Sequence, residues 1–141
     1  VMSGASLNVS GTATIAEALV LNGTGVADDG ALRNTSGSKT LSGAITLGSA
    51  TRINSDAGTL TLSGTKSGTG QELTVGGAGN VTISTNGINT GAGGSLVKDG
   101  TGTLTISAAS DYTGATTINA GVIAISNSTA LGTAAGGTTV A

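Results

Sequence analysis

Seven carboxylates, Glu17, Asp28, Asp29, Asp56, Glu72, Asp99 and Asp111, are the side chains that could do acid–base chemistry. Two carboxyl groups that converge can protonate a leaving group and activate water, the arrangement that cleaves polysaccharides. Asp28 and Asp29 are adjacent, so on a strand they would point to opposite faces; they read as a solvated corner. Histidine and cysteine are absent, which removes the usual nucleophile–base triads.

The remaining motifs are weaker. Gly76-Gly77-Ala78-Gly79-Asn80 has the glycines of a calcium-binding nonapeptide repeat but occurs once and carries Asn where Asp ligands are needed, so a turn is expected. Gly64-Thr65-Lys66-Ser67-Gly68 lacks the spacing of a phosphate-binding loop. Thr12-Ala13-Thr14, Thr59-Leu60-Thr61 and Thr103-Leu104-Thr105 would present outward threonine pairs. Stacked on a flat face, such pairs could bind ice or crystalline polysaccharide. The triplets are too far apart to occupy consecutive coils, so threonine is read as an ordinary strand-surface residue. Tyr112, the single aromatic residue, is expected to pack at a corner. The Asn-x-Ser/Thr sites at Asn8, Asn22, Asn34, Asn80 and Asn127 are read as fortuitous. No catalytic, cofactor-binding or metal-ligating residue is assigned, no cofactor is expected, and an enzymatic role is not expected.

Composition limits what could position any site. The 141 residues fit one domain. Hydrophobic residues make up 37%, yet aromatics only 1%, so the core must be thin and filled by Leu, Ile, Val and Ala. With 26 glycines the chain could be disordered; low charge and regular apolar placement argue against it. Net charge is −2 and the five basic residues, Arg33, Lys39, Arg52, Lys66 and Lys98, are dispersed. A nucleic-acid groove needs clustered positive charge and stacking rings, so no nucleic-acid partner is expected. No apolar run is long enough to span a bilayer. The start at Val1 fits a processed piece or an internal segment of a longer repeat array.

Apolar pairs one residue apart recur: Leu7/Val9, Leu19/Leu21, Ile45/Leu47, Leu60/Leu62, Leu73/Val75, Val81/Ile83, Leu104/Ile106 and Ile123/Ile125. Period two puts both members on one face of a strand. Gly, Ser or Asn follows within a few residues and supplies a corner. Short strands ended by corners could build a sandwich, a barrel or a solenoid. Asn22-Gly23 and Asn86-Gly87 are candidate hairpin turns. The recurring openings Gly30-Ala31-Leu32, Gly58-Thr59-Leu60 and Gly94-Ser95-Leu96 favour the solenoid. Leu60, Leu62, Leu96, Leu104, Ile106, Ile118 and Ile123 are expected inside, with Asn22, Asn54 and Asn119 stacking at corners.

The segment Gly94-Ser95-Leu96-Val97-Lys98-Asp99-Gly100-Thr101-Gly102-Thr103-Leu104-Thr105-Ile106-Ser107, followed by Tyr112-Thr113-Gly114 and Asn119-Ala120-Gly121, resembles the passenger-associated (autotransporter-associated β-strand) repeat of bacterial autotransporters. The resemblance covers 94–125; the rest of 1–141 is similar to such passengers in style. Ala108, Ser110-Asp111 and Val122 depart from the usual residues without disturbing the strand pattern. The resemblance implies an all-β, right-handed parallel β-helix (β-solenoid). At roughly 20–28 residues per coil, about five to seven coils would stack into a rod on the order of 25–35 Å long. It also implies secretion to, and display at, the cell surface of a Gram-negative bacterium. The function expected on that basis is a structural, adhesin-like stalk segment whose coil-by-coil folding assists export. Two alternatives are a subunit of an extracellular filament or sheath, with copies end to end, and a β-helix that binds or cleaves carbohydrate. The partners expected are neighbouring coils, copies of the chain, or host or surface glycans, with no membrane insertion by this segment.

Overall fold

In the computed structural model, which describes all residues 1–141, the chain winds as a three-faced parallel β-solenoid. Strand β1 (Leu7–Ser10) lies on the first face, β2 (Thr14–Ile15) on the second and β3 (Leu19–Gly23) on the third. A single 3-10 turn (Val26–Asp28) leads back to the first face at β4 (Leu32–Ser36), with β5 (Lys39–Leu41) following on the second. The long strand β6 (Ile45–Ser55) pairs with β3 through its first half and with β4 through its second. It therefore carries the third face continuously into the first.

Later coils repeat the circuit with β7 (Thr59–Leu62), β8 (Lys66–Ser67) and β9 (Glu72–Gly76), then β10 (Asn80–Ile83), β11 (Ile88–Asn89) and β12 (Ser95–Lys98). They end with β13 (Thr103–Ile106), β14 (Thr116–Ile118), β15 (Val122–Ile125) and β16 (Thr138–Val140). The first and third faces merge through β6 into one ten-stranded sheet; the second is a separate sheet of six, ordered β15-β13-β10-β7-β5-β2.

Every strand pair is parallel, and partners lie 19 to 28 residues apart, from Leu104 opposite Ile123 to Gly23 opposite Thr51. About six turns result, inside the range expected from the sequence. The two candidate hairpins are not formed. At Asn22-Gly23 the chain leaves β3 into the 24–30 corner and returns parallel. Asn86-Gly87 turns the chain from the second face to the third, and the Asn86 amide donates to the Ser63 carbonyl at 3.0 Å. A hairpin would reverse the strand and break the inward columns, whereas a parallel return preserves them.

Those columns hold the fold together. On the first face Leu7, Leu32, Ile53 and Val75 stand in register, and on the second Ile15, Leu41, Leu62, Ile83, Ile106 and Ile125. Twenty buried residues form one core cluster along the axis. Each such side chain contributes roughly 1.5–3 kcal/mol. Leu60, Leu62, Leu96, Leu104 and Ile106 are fully buried as expected. Ile118 and Ile123 are only half-buried, because they lie on the last full coil, with less above them.

Glycine sets the tightness of the corners. Gly58 has φ +69°, and a Cβ there would run into the Gly37 carbonyl oxygen of the coil below. Backbone stacks directly on backbone at this corner, leaving no room for a side chain.

Candidate functional site

The carboxylates do not converge. Glu17 is exposed beyond β2. Asp28 sits in the 3-10 turn with φ 61°, where its carboxylate accepts from the Thr24 hydroxyl. Asp29 and Asp56 both meet Arg33, at 3.1 and 2.6 Å. Glu72 accepts from the Ser95 hydroxyl at 3.2 Å, and Asp111 from the Gly91 amide at 2.9 Å. No group of three or more acidic side chains is placed to hold a metal. Asp28-Asp29 lie in a turn rather than on a strand, and their oxygens serve local contacts.

Asp99 takes part in the most developed charged contact. Both of its oxygens accept from the Arg52 guanidinium at 2.7 Å, a bidentate pair that crosses an intervening coil. Arg52 pairs with Thr74 of that coil, and Asn54 with Gly76. A Cβ on Gly76 would intrude on both partners of the bridge. A glycine is therefore what lets the bridge lie flat against the sheet.

Three lysines point into the solenoid. Lys39 stacks beneath Leu60, Lys66 stands between Ile45 and Ile88, and Lys98 lies in the column above Val75. Lys66 is wholly buried, and its ammonium donates to the carbonyls of Leu62 at 3.1 Å and Gly64 at 2.7 Å. Burial without a carboxylate pulls its pKa down to about 8. Lys98 donates to the carbonyls of Asp99 and Gly100 at 2.6 and 2.8 Å. Burial lowers its pKa too, opposed by the Asp99 charge and reinforced by Arg52. In Lys66 and Lys98 a long stem fills the column while the head satisfies corner carbonyls. The sequence does carry this signal. Lys39 shares the parity of Leu41, and Lys98 that of Leu96, which places both among the inward positions.

Tyr112 is fully buried at a corner, its hydroxyl 2.6 Å from the Thr116 hydroxyl. Burial raises its pKa, and the hydrogen bond to Thr116 works against that rise. Gly77–Gly79 form the expected turn between β9 and β10. Asn22, Asn54 and Asn119 do not stack on one another. The buried corner asparagine is Asn34, whose amide donates to Gly37 O, Ser55 Oγ and Ala57 O at 3.0, 3.2 and 2.8 Å. A single asparagine reaching three groups across two coils leaves no periodic trace in the sequence.

The second face holds the most regular feature of the surface. Thr14, Thr40, Thr61, Thr82 and Thr105 stand in one outward column, each in register with the next. The sequence triplets at Thr14, Thr61 and Thr105 do lie on alternate coils. Thr40 and Thr82, outside any Thr-x-Thr triplet, fill the coils between and make the column continuous. Two residues beyond Thr40, Thr61, Thr82, Thr105 and, on the next coil, Ala124 come Ser42, Ser63, Ser84, Ser107 and Ser126, whose amides bond in turn to the carbonyls of Ile15, Leu41, Leu62, Ile83 and Ile106 of the coil below, while Ala16 stands beyond Thr14. One concavity, of about 320 Å³, lies at the last coil, lined by Ile125, Thr129, Leu131, Thr133 and Thr138 among others. None of its lining groups is titratable.

Fold and surface together define a repeat-built scaffold, a parallel β-solenoid whose inward columns run through every coil. Residues 96–125 match the family model of the passenger-associated-transport-repeat, and this match within a β-solenoid fits an autotransporter passenger repeat. The matched segment runs from Leu96 in β12 through β13 and β14 to the end of β15, so Tyr112 and its Thr116 partner belong to the repeat. No curated protein and no solved structure matches the chain.

Proposed function

We propose that this chain is a structural, non-catalytic part of a secreted or surface-displayed passenger of a Gram-negative bacterium, and that its coil-by-coil folding assists export. The observation that carries the reading is the inward column, which crosses all coils while the backbone strands of each coil pair only with those of its neighbours. Such a chain can fold from one end, because the last coil formed is a complete template for the next. Burial of each new row of aliphatics then opposes backsliding through a pore without any nucleotide. The dispersed carboxylates, largely engaged with arginine or local donors, support a scaffold over a carbohydrate-cleaving enzyme. The stiffness of the stack suits a stalk.

The test displays the chain ahead of an outer-membrane barrel on a Gram-negative cell and follows surface exposure by protease accessibility. The parent chain should reach the surface. Leu104→Asp places an unpaired charge in the middle of a column and should lower surface yield with accumulation in the periplasm. Equal export of a Leu104→Asp chain that circular dichroism shows to be unfolded would overturn the folding-driven reading.

A further inference from the structure

We propose that the second face binds ice, through the threonine column and the serine column beside it. The neighbouring strands of a sheet are about 4.8 Å apart, so the five threonine hydroxyls form a row at that interval. In ice, oxygens are hydrogen-bonded at about 2.8 Å, and tetrahedral geometry then puts next-nearest oxygens about 4.5 Å apart. Over the four intervals from Thr14 to Thr105 the two rows drift by only about 1 Å, within the reach of a hydroxyl turning about its rotamer. The serine column, two residues along, adds a second parallel row about 6.7 Å away. The array is therefore periodic along the axis and two rows wide, a regular surface that suits a crystal face better than a soluble ligand.

Three further observations favour this occupant. The five threonine hydroxyls make no hydrogen bond within the chain, whereas Ser42 and Ser63 turn back to Ile15 O and Leu41 O at 3.4 and 3.3 Å. No outward position of the six-stranded sheet is charged; its one ionisable residue, Lys39, faces the core. The arginine–carboxylate contacts involve β4, β6 and the residue after β12, all on the ten-stranded sheet. A charged group would hold liquid-like hydration, and its exclusion from one face leaves a surface that can share an ordered water layer.

A second copy of the chain fits less well. The array spans roughly 20 Å by 7 Å, so two copies face to face would bury well under the roughly 1,200 Å² of a standard interface. A crystalline polysaccharide would call for exposed rings or charged forks, and Tyr112 is wholly buried.

The test uses the full 141-residue chain, with its fold checked by circular dichroism. It measures thermal hysteresis by nanolitre osmometry and partition of the fluorescently labelled protein into a slowly growing ice hemisphere. The parent chain should show a hysteresis gap and enter the ice. Thr82→Lys, at the centre of the array, should lose both, while Thr46→Lys on the exposed third face should keep both. Thr105→Tyr gives the same reading should Thr82→Lys fail to fold. A folded parent chain excluded from ice, hysteresis unchanged by Thr82→Lys or Thr105→Tyr in the folded state, or retention on cellulose or chitin powder without ice binding would each overturn the proposal.

Discussion

Replacing Lys66 by methionine should abolish a specific pH dependence of stability. An unfolded lysine holds its proton up to about pH 10.4, whereas buried Lys66 gives it up near pH 8. Between those values the unfolded chain binds more protons, so stability rises with pH. The full span is worth about 3 kcal/mol, and the rise between pH 7.5 and 9.5 is about 2 kcal/mol. Tyr112, whose pKa burial raises, contributes with the opposite sign once unfolded tyrosine begins to ionise near pH 10, but it is unchanged by the substitution and drops out of the comparison. Lys98, shifted in the same direction as Lys66, is present in both proteins and cancels in their difference. At pH 7 the two proteins should differ little. Relief of the buried charge is offset by the Leu62 and Gly64 carbonyls left without a donor, at about 1–3 kcal/mol each. Urea unfolding followed by circular dichroism at half-unit pH steps reads the difference directly. A parent-minus-variant stability that stays flat, or falls, from pH 7.5 to 9.5 refutes the burial argument.

Tyr112→Phe removes the hydrogen bond to Thr116 and should cost about 1 kcal/mol in urea unfolding, leaving the strand signal unchanged. Gly76→Ala should push the Arg52–Asp99 pair apart. Both partners are partly exposed, so the loss should be at most about 1 kcal/mol, and parent and variant should converge in 1 M salt, at a Debye length of about 3 Å. Because Val81 stands directly above Leu60, deleting Thr61 through Val81 removes one coil and joins Leu60 to Thr82 in phase. The shortened chain should stay folded, with a urea m-value lower by about one sixth, whereas a deletion one residue longer or shorter, which turns the inward side chains outward, should unfold it.

The second face was the most legible part of the fold. Leu60/Leu62, Val81/Ile83 and Leu104/Ile106 alternate with small polar residues and end at glycine or serine, and period two alone assigns them. The third face was legible only in its first coils, at Leu19/Leu21 and Ile45/Leu47. β8 and β11 are two residues long, too short to alternate, and after β11 the face is held by contacts such as Ser110 Oγ accepting from the Ile88 amide at 3.0 Å. The inward lysines were missed because charge is ordinarily read as surface. The heads of Lys66 and Lys98 are satisfied by carbonyls that only the corner geometry brings near. The threonine column was half visible. A search for Thr-x-Thr finds alternate coils, and only register reveals that Thr40 and Thr82 complete it. The Arg52–Asp99 pair, 47 residues apart, has no local signature at all.

The pairing of each coil's strands with its neighbours alone also decides how the rod yields under load. Tension applied to the two ends would not shear all strands together, since only the terminal turn is in the line of force. The molecule would instead unspool one turn at a time from whichever end lets go first. Each release would lengthen the thread by a similar amount while the untouched remainder keeps its shape. A tether built this way can stretch far without losing all its structure, and what remains is a ready template on which the thread can rewind when the load drops.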